Sequence, residues 1–327
     1  MLDETEGGTA PPSPTSSTGP PADDPPGTLA PSAAPTPVPP TMPPLDVPDD
    51  LVASEGILAH RSGATAPRTL PRLIAVANQK GGVGKTTTAV NLGACLADLG
   101  FRTLVVDLDP QGNLSTGLGV DVRSLTVSMY DVLLNEVPLA ECTVPTGVEN
   151  LTLAPANLDL AGAEIELVPA FSRELKLRGA LQAVRDDYDY VLIDCPPSLG
   201  LLTVNAFAAA SEVLVPIQCE YYALEGLGQL LRNVDLVQRN LNPTLEVSTM
   251  VLVMYDARTK LSDQVSAEVR KHFGDTVVRT VVPRTVRLSE APSFGQPIIS
   301  FDPSSRGAMA YRALAKEVSG GTPQRVG

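Results

Sequence analysis

One stretch, Asn78-Gln79-Lys80-Gly81-Gly82-Val83-Gly84-Lys85-Thr86-Thr87-Thr88, constrains this chain more than any other. The apolar run Leu73-Ile74-Ala75-Val76-Ala77 precedes it, and a helix-like pattern, Ala89 to Leu99, follows. Strand, glycine loop and helix N-terminus in that order turn backbone N–H groups toward one point, where they cradle a phosphate. Gly81, Gly82 and Gly84 are read as giving the loop the backbone freedom to aim those groups inward. Lys85 then places a point charge on the outer phosphates, and the Thr86 hydroxyl is positioned to ligate Mg²⁺. The loop also departs from the ordinary pattern. The place five before its last glycine, where a small residue is usual, holds Gln79, and a second lysine, Lys80, stands five positions before Lys85.

Short apolar runs alternate with amphipathic stretches through the rest of the chain. Strands are predicted over 72–78, 102–107, 151–154, 189–194, 212–216, 247–253 and 277–282. Helices are predicted over 86–99, 127–134, 159–167, 172–186, 201–208, 224–240, 261–272 and 307–318. Thr103-Leu104-Val105-Val106 and Tyr190-Val191-Leu192-Ile193 are apolar on consecutive positions, as strands buried on both faces are. The expected fold class is α/β: a P-loop NTPase with a mostly parallel twisted sheet and helices on both faces.

Composition bounds the domain. Of 31 prolines, 15 lie in residues 1–50, interleaved with Ser, Thr, Ala and Gly. That mixture buries too little apolar surface to offset its ordering entropy. Residues 1–70 therefore read as a disordered, proline-rich acidic tail, 71–318 as one domain and 319–327 as a disordered C-terminus. Within the tail only residues 45–60 carry apolar content, with weak support for a short helix. The tail holds nine acids and two arginines, leaving about −6 of the net −13 to the remainder. An acidic balance argues against a dedicated high-affinity nucleic-acid binder but leaves room for a local basic patch doubled by dimerisation. Cys95, Cys142, Cys195 and Cys219 are far apart and read as small buried hydrophobes in a reducing compartment. No apolar run reaches 18 residues and the N-terminus is acidic rather than signal-like, so a cytoplasmic location is expected.

Three acids fall where such a sheet presents its ligands. Asp107 ends the second strand, and Asp109 opens the turn Asp109-Pro110-Gln111-Gly112-Asn113, both at the carboxyl edge. One of these two acids can equally be a turn or cap residue. Asp194 closes the run Tyr190-Val191-Leu192-Ile193 and precedes Cys195-Pro196-Pro197. An acid there in a phosphate-loop protein reads as Walker B, holding Mg²⁺ directly or through water. Thr86, Asp109 and Asp194 are thus the metal candidates. Phosphoryl transfer needs positive charge on the transferring group and an oriented water. Lys80 can supply the charge or be a solvated flank of the loop, and Asp109 can orient the water.

The strings Lys80-Gly-Gly-Val-Gly-Lys-Thr-Thr87, Asp107-Leu-Asp-Pro-Gln-Gly-Asn113 and Ile193-Asp-Cys-Pro-Pro-Ser-Leu-Gly200 strongly resemble the ParA/Soj family of partition ATPases. Tyr255-Asp-Ala-Arg-Thr259, Pro283-Arg-Thr-Val-Arg-Leu-Ser-Glu-Ala-Pro-Ser293 and Ser305-Arg-Gly-Ala308 support the match, which runs from about 72 to 318. The loop alone is shared with MinD-like and nitrogenase-iron-protein-like relatives, whereas 283–293 points to chromosomal members. The resemblance implies an ATP- and Mg²⁺-dependent DNA-segregation ATPase. It implies nucleotide contacts from Lys80, Gly81, Gly82, Val83, Gly84, Lys85, Thr86 and Thr87. It implies that Lys80 reaches across an ATP-sandwiched homodimer and that Asp109 supports attack on the γ-phosphate. It further implies non-specific double-stranded DNA binding by the ATP dimer through Arg258 and Arg287, a nucleoid-associated location, and hydrolysis stimulated by a ParB-type centromere-binding protein. Adenine recognition by the 254–256 and 283–285 regions rests on the same resemblance.

Two relatives imply other outcomes. A MinD-like membrane cycler needs a basic amphipathic C-terminal helix, but here the pattern breaks after Val318, so no membrane partner is expected. An iron–sulfur reductase would draw on Cys142 and Cys195, whose surroundings give no sign of a cluster. A plasmid or another intracellular body remains an alternative cargo.

Overall fold

The computed structural model describes residues 69–221, 224 and 226–320. The tail over 1–68, the helix considered within it, and residues 321–327 lie outside the described residues. Eight strands form one sheet in the order β3-β4-β2-β5-β1-β6-β7-β8. They are β1 (Arg72–Val76), β2 (Thr103–Asp107), β3 (Val144–Pro145), β4 (Leu151–Ala154), β5 (Tyr190–Asp194), β6 (Glu212–Gln218), β7 (Glu246–Tyr255) and β8 (Val277–Pro283). All neighbours pair in parallel except β3 with β4. All seven predicted strands are present. The eighth, β3, is a two-residue edge strand containing a proline, too short to leave a pattern and well suited to closing a sheet edge.

Helices α1 (Lys85–Asp98), α2 (Asn113–Gly117), α3 (Met129–Leu134), α4 (Leu139–Cys142), α5 (Leu160–Glu166), α6 (Lys176–Gln182) and α7 (Leu201–Ala209) occupy the first two-thirds of the described chain. They are followed by α8 (Leu227–Asn240), α9 (Lys260–Phe273), α10 (Val286–Glu290), α11 (Ile298–Phe301) and α12 (Arg306–Ser319). β2, β5 and β6 are buried at every position. Alternate residues enter different cores: Leu104, Val106, Val191 and Ile193 face α3 and α5–α9, while Val105, Tyr190 and Leu192 face α1, α2, α11 and α12. This two-sided burial is why those strands read as continuous apolar runs.

Two helices differ from expectation. The stretch 172–186 is broken into a 3₁₀ turn (Arg173–Leu175), α6 and a second 3₁₀ turn (Arg185–Asp187). The Leu177 N–H donates to Asn205 Oδ1 at 3.1 Å, and Asn205 Nδ2 donates to the Arg173 carbonyl at 2.8 Å. The Asn205 amide thus occupies the i→i−4 bond that a continuous helix would make. The helix expected from 224 starts at Leu227 because its N-cap, Gly226, has φ 77°, outside helical space.

The domain's first strand is tied to its last helix. Arg72 donates through both Nε and Nη2 to Glu212 at 2.7 Å and through Nη1 to the Val318 carbonyl. Both side chains are buried, so removing one strands the other's charge in the interior. Arg72→Ala is expected to cost about 3–5 kcal/mol, read as a lowered urea midpoint. A loss under 1 kcal/mol would show that Glu212 finds another partner.

Candidate active site

The order in which strands are added switches direction at β1: β5, β2 and β4 lie to one side and β6 to β8 to the other. Ligands of open α/β sheets bind outside the carboxyl ends at such a point, and the loop 78–84 leaves β1 there. Asn78 holds its start, donating from Nδ2 to the Pro216 carbonyl at 2.8 Å and accepting from the Lys80 N–H at 3.0 Å. Gly82 (φ 74°) and Gly84 (φ 82°) take left-handed backbone, and Gly81 does not. At Gly84 the first turn of α1 begins with no side-chain cap, leaving its N–H groups available to an anion. Val83 is buried, Lys80, Thr86 and Thr87 are half-buried, and Gly81 and Gly82 are exposed. Lys85 is buried and donates to the Lys80 carbonyl at 3.3 Å. Burial lowers its pKa from the ordinary lysine value, partly opposed by Asp194.

Asp107, Asp109 and Asp194 come together at the sheet edge, with Asp107 beside Asp194 in the β2–β5 register. Their roles separate clearly. Asp107 is fully buried and accepts from the Asp109 N–H (3.1 Å), the Ser115 N–H (2.9 Å) and the Ser115 hydroxyl (2.7 Å). It is the acid that organises the turn and the start of α2. Asp109 accepts only locally, from the Gln111 N–H at 3.0 Å. Asp194 is fully buried, yet neither carboxylate oxygen takes a hydrogen bond of normal geometry. Burial chiefly, then repulsion from Asp107, raises its pKa well above the carboxylate range; the Thr86 hydroxyl and Lys85 temper the rise. An orphaned buried carboxylate needs a partner, and with the Thr86 hydroxyl it offers the hard oxygen donors a Mg²⁺ ion accepts. The residues present therefore fit that ion.

Asp107 also makes stability pH-dependent. Burial pushes its pKa up to about 6 against hydrogen bonds that lower it. Between the unfolded carboxyl value near 4 and about 6, the folded chain holds a proton that the unfolded chain has lost. Its contribution to stability therefore falls as pH rises through that window, by on the order of 2–3 kcal/mol. Asp107→Asn is expected to flatten this part of the profile in urea unfolding at pH 4 and pH 7; an unchanged slope would assign it to other groups.

The two arginines lie at the carboxyl ends of β7 and β8. Arg258 is exposed and bidentate with Asp256, at 2.9 and 2.7 Å. Arg287 pairs with Glu290 at 3.0 Å and Asp302 at 3.3 Å, with its guanidinium 5.6 Å from the Phe301 ring. The 254–256 and 283–285 regions adjoin: Tyr255 registers with Pro283, and the Arg284 N–H donates to the Tyr255 carbonyl at 2.9 Å. Met254 reaches the phosphate loop, its Cε 3.7 Å from where a Cβ on Gly84 would stand. A cleft of about 290 Å³ opens on the other flank, lined by Thr86, Thr87, Asn91, Asn113, Thr116 and Gln296 among others. Sequence reasoning missed Asn78 and Ser115 as site residues. Asn78 stands in the motif itself, whereas nothing local marks Ser115. All four cysteines are buried, Cys142 and Cys195 in the core beneath α3–α9.

A family described as an AAA domain matches residues 71–247. The sporulation initiation inhibitor protein Soj of Bacillus subtilis is 58% identical over 248 residues, 76% of this chain and 98% of that protein. The chain belongs to the ParA/Soj family. The chromosome partitioning protein ParA of Myxococcus xanthus is another relative, 52% identical over 81% of this chain and 94% of its own. A Mycobacterium smegmatis protein described as cobyrinic acid a,c-diamide synthase, solved with a bound ATP analog and magnesium, shares 44% identity at a TM-score of 0.68, over 76% of this chain and 94% of that one. As a ParA/Soj protein, the chain shares its family's sequence over some 248 residues and not in the loop alone. Among the described residues no helix is long and apolar enough to cross a membrane.

Proposed function

We propose that the protein is an ATPase of chromosome partition, whose ATP-bound homodimer holds double-stranded DNA without sequence preference. A ParB-type centromere-binding partner stimulates hydrolysis and so releases the DNA. The observation that carries this reading is the uncapped N-terminus of α1 beside the orphaned Asp194 carboxylate. The loop amides and Lys85 hold the phosphates, and Thr86 and Asp194 are the residues that would hold Mg²⁺, Asp194 directly or through water. Held there, Mg²⁺ would supply positive charge to offset the negative charge developing on the transferred phosphoryl group. Asp109, whose carboxylate is engaged only with its own turn, orients the attacking water. Lys80 adds charge from the partner subunit. Two states of different DNA affinity, exchanged by hydrolysis, then give directional transport along a nucleoid. The chromosome is favoured as cargo by the relatives, among them the chromosome partitioning protein ParA of Myxococcus xanthus, and by the 283–293 segment.

An acidic domain can bind DNA this way because phosphate contacts carry the affinity and a dimer doubles each one. On this reading Arg258 and Arg287 make the contacts, and DNA must first displace Asp256, Glu290 and Asp302 from them. Filter retention of duplex DNA is expected with ATP and Mg²⁺ and not without nucleotide. Arg287→Glu is expected to weaken it about tenfold or more and to make the salt slope shallower by about two, one lost contact per protomer. Wild-type retention in that variant would remove Arg287 from the interface, and nucleotide-independent binding would overturn the switch.

A further inference from the structure

Residues 286–302, which carry Arg287, form two arms joined at one glycine. The first arm is α10 running directly into a 3₁₀ turn, Ala291–Phe294; the second is α11 with the turn at Asp302. Between them Gly295 takes φ 62°, backbone that a side chain would strain. The arms are clasped to each other. Arg287 of the first reaches Asp302 of the second at 3.3 Å and lies 5.6 Å from the Phe301 ring, and Phe294 stacks on Phe301 with centroids 4.9 Å apart. Each part also has its own foothold. Leu288 sits where a Gly307 side chain would be, its Cγ 2.8 Å from the Cβ position, so the first arm rests on α12. The elbow rests on the end of α2: a Cβ on Gly295 would stand 2.6 Å from Gly119 Cα, and one on Gly119 3.0 Å from the Gly295 carbonyl oxygen. Gly119 donates its N–H to the Thr116 carbonyl at 3.0 Å, and α2 begins in the Asp109 turn, where the Gly112 N–H donates to the Asp109 carbonyl at 2.9 Å. The second arm is pinned to α1. The Ile298 N–H donates to Asn91 Oδ1 at 2.6 Å, and Asn91 Nδ2 donates to the Thr87 carbonyl, beside the phosphate loop, at 2.8 Å. The cleft of about 290 Å³ lies where the three meet, lined by Thr87 of α1, Asn113 and Thr116 of α2, and Pro292 and Gln296 of the arms. It leaves α1 and α2 room to shift that a close-packed contact would deny.

From this geometry we infer that residues 286–302 transmit nucleotide occupancy to Arg287 within a single subunit, through the Gly119–Gly295 joint and the Asn91 pin. The inference rests on reading the loop 78–88 as the phosphate site and Arg287 as a DNA contact, and it adds to the dimer a switch inside each protomer. α1 and the Asp109 turn flank the phosphate site, so a nucleotide held there resets the separation of α1 and α2. The elbow follows α2 and the second arm follows α1. The arms then part at Gly295, and Arg287 leaves Asp302 and the Phe301 ring. Ion pairs this exposed hold weakly, so a small displacement shifts the balance of clasped and open populations. Clasped, the guanidinium is answered by carboxylates of its own chain; open, it offers its charge to a phosphate. Linkage makes the effect reciprocal: DNA on Arg287 tightens nucleotide binding by the same factor.

The chain contains no tryptophan, so Phe294→Trp places a single fluorophore in the clasp, at a position 65% exposed that accepts the larger ring. The full-length variant is titrated with a non-hydrolysable ATP analogue and Mg²⁺ in a Lys80→Ala background. Light scattering establishes that it stays monomeric, and competition with a fluorescent nucleotide that it binds. The expected result is a red shift of the emission as the rings part, saturating together with nucleotide binding. Adding Gly295→Ala or Asn91→Ala should abolish the shift while nucleotide still binds; the asparagine variant introduces no clash, so the test does not depend on whether alanine folds at 295. In the otherwise native chain, Asn91→Ala should cut the DNA affinity gained with nucleotide about fivefold or more and leave the dimer unchanged. Emission that ignores bound nucleotide overturns the inference. So does a shift seen only when Lys80 is present and the dimer forms, which would assign it to the partner subunit, and so does a shift that survives both joint variants. If the shift appears as expected but Arg287→Glu retains DNA like wild type, the coupling stands and the DNA role of Arg287 falls.

Discussion

Asp109→Ala is expected to lower ATP turnover about 100-fold or more, the usual consequence of losing a group that positions or deprotonates a nucleophile, and to leave nucleotide binding intact. The structure explains why these effects separate. The proposed binding elements, the loop amides, Lys85 and Thr86, belong to the strand–helix junction at β1 and α1, whereas Asp109 stands on the turn after β2. The protein should then accumulate as an ATP-loaded, DNA-bound dimer. Because Asp109 accepts from the Gln111 N–H at 3.0 Å, alanine also loosens the turn. Asp109→Asn retains an oxygen for that bond while removing the charge, so equal loss in both variants would assign the defect to the carboxylate. Normal hydrolysis in the asparagine variant would transfer the water-orienting role elsewhere, Asp107 being excluded by its three donors.

Lys80→Ala should have a second large effect of a different kind. Its backbone, not its side chain, accepts from Lys85 and donates to Asn78, so truncation leaves the loop's internal bonds in place. Monomeric ATP affinity is expected to stay within a few-fold of wild type. The ATP-dependent dimer should weaken by about 2–5 kcal/mol, roughly 30- to 5,000-fold, as when one member of a desolvated charge pair is removed from an interface. Light scattering with a non-hydrolysable analogue checks this. An unchanged dimer would return Lys80 to the role of solvated flank.

Much of this architecture was legible in the chain because its determinants are local. The glycines and lysines of 78–88 declare themselves within eleven residues, and strands buried on both faces declare themselves by unbroken apolar runs. What stayed hidden depends on partners distant in sequence. Asp107 and Asp109 are indistinguishable until Ser115 is seen to donate twice to the former. The break near Leu177 is set by Asn205, twenty-eight residues on. The charge on Arg287 is answered by Asp302, beyond the reach of any local pattern. α2, α4, α10 and α11 are too short for a periodicity to establish them.

The Arg72 clasp on Glu212 and Val318 bears on the order in which the chain is made. α12 supplies Tyr311 and Leu314 to the core that backs α1, and the Tyr311 hydroxyl lies 3.3 Å from Thr88 Oγ1, one turn below the phosphate loop. A nascent chain that has passed Asp194 already possesses every residue assigned to the phosphates and Mg²⁺. The helix presenting that loop nonetheless stays bare on its outer side until the last segment emerges. Nucleotide capture therefore belongs to the finished polypeptide, and a message truncated before residue 306 should yield a product that carries the whole motif and cannot use it.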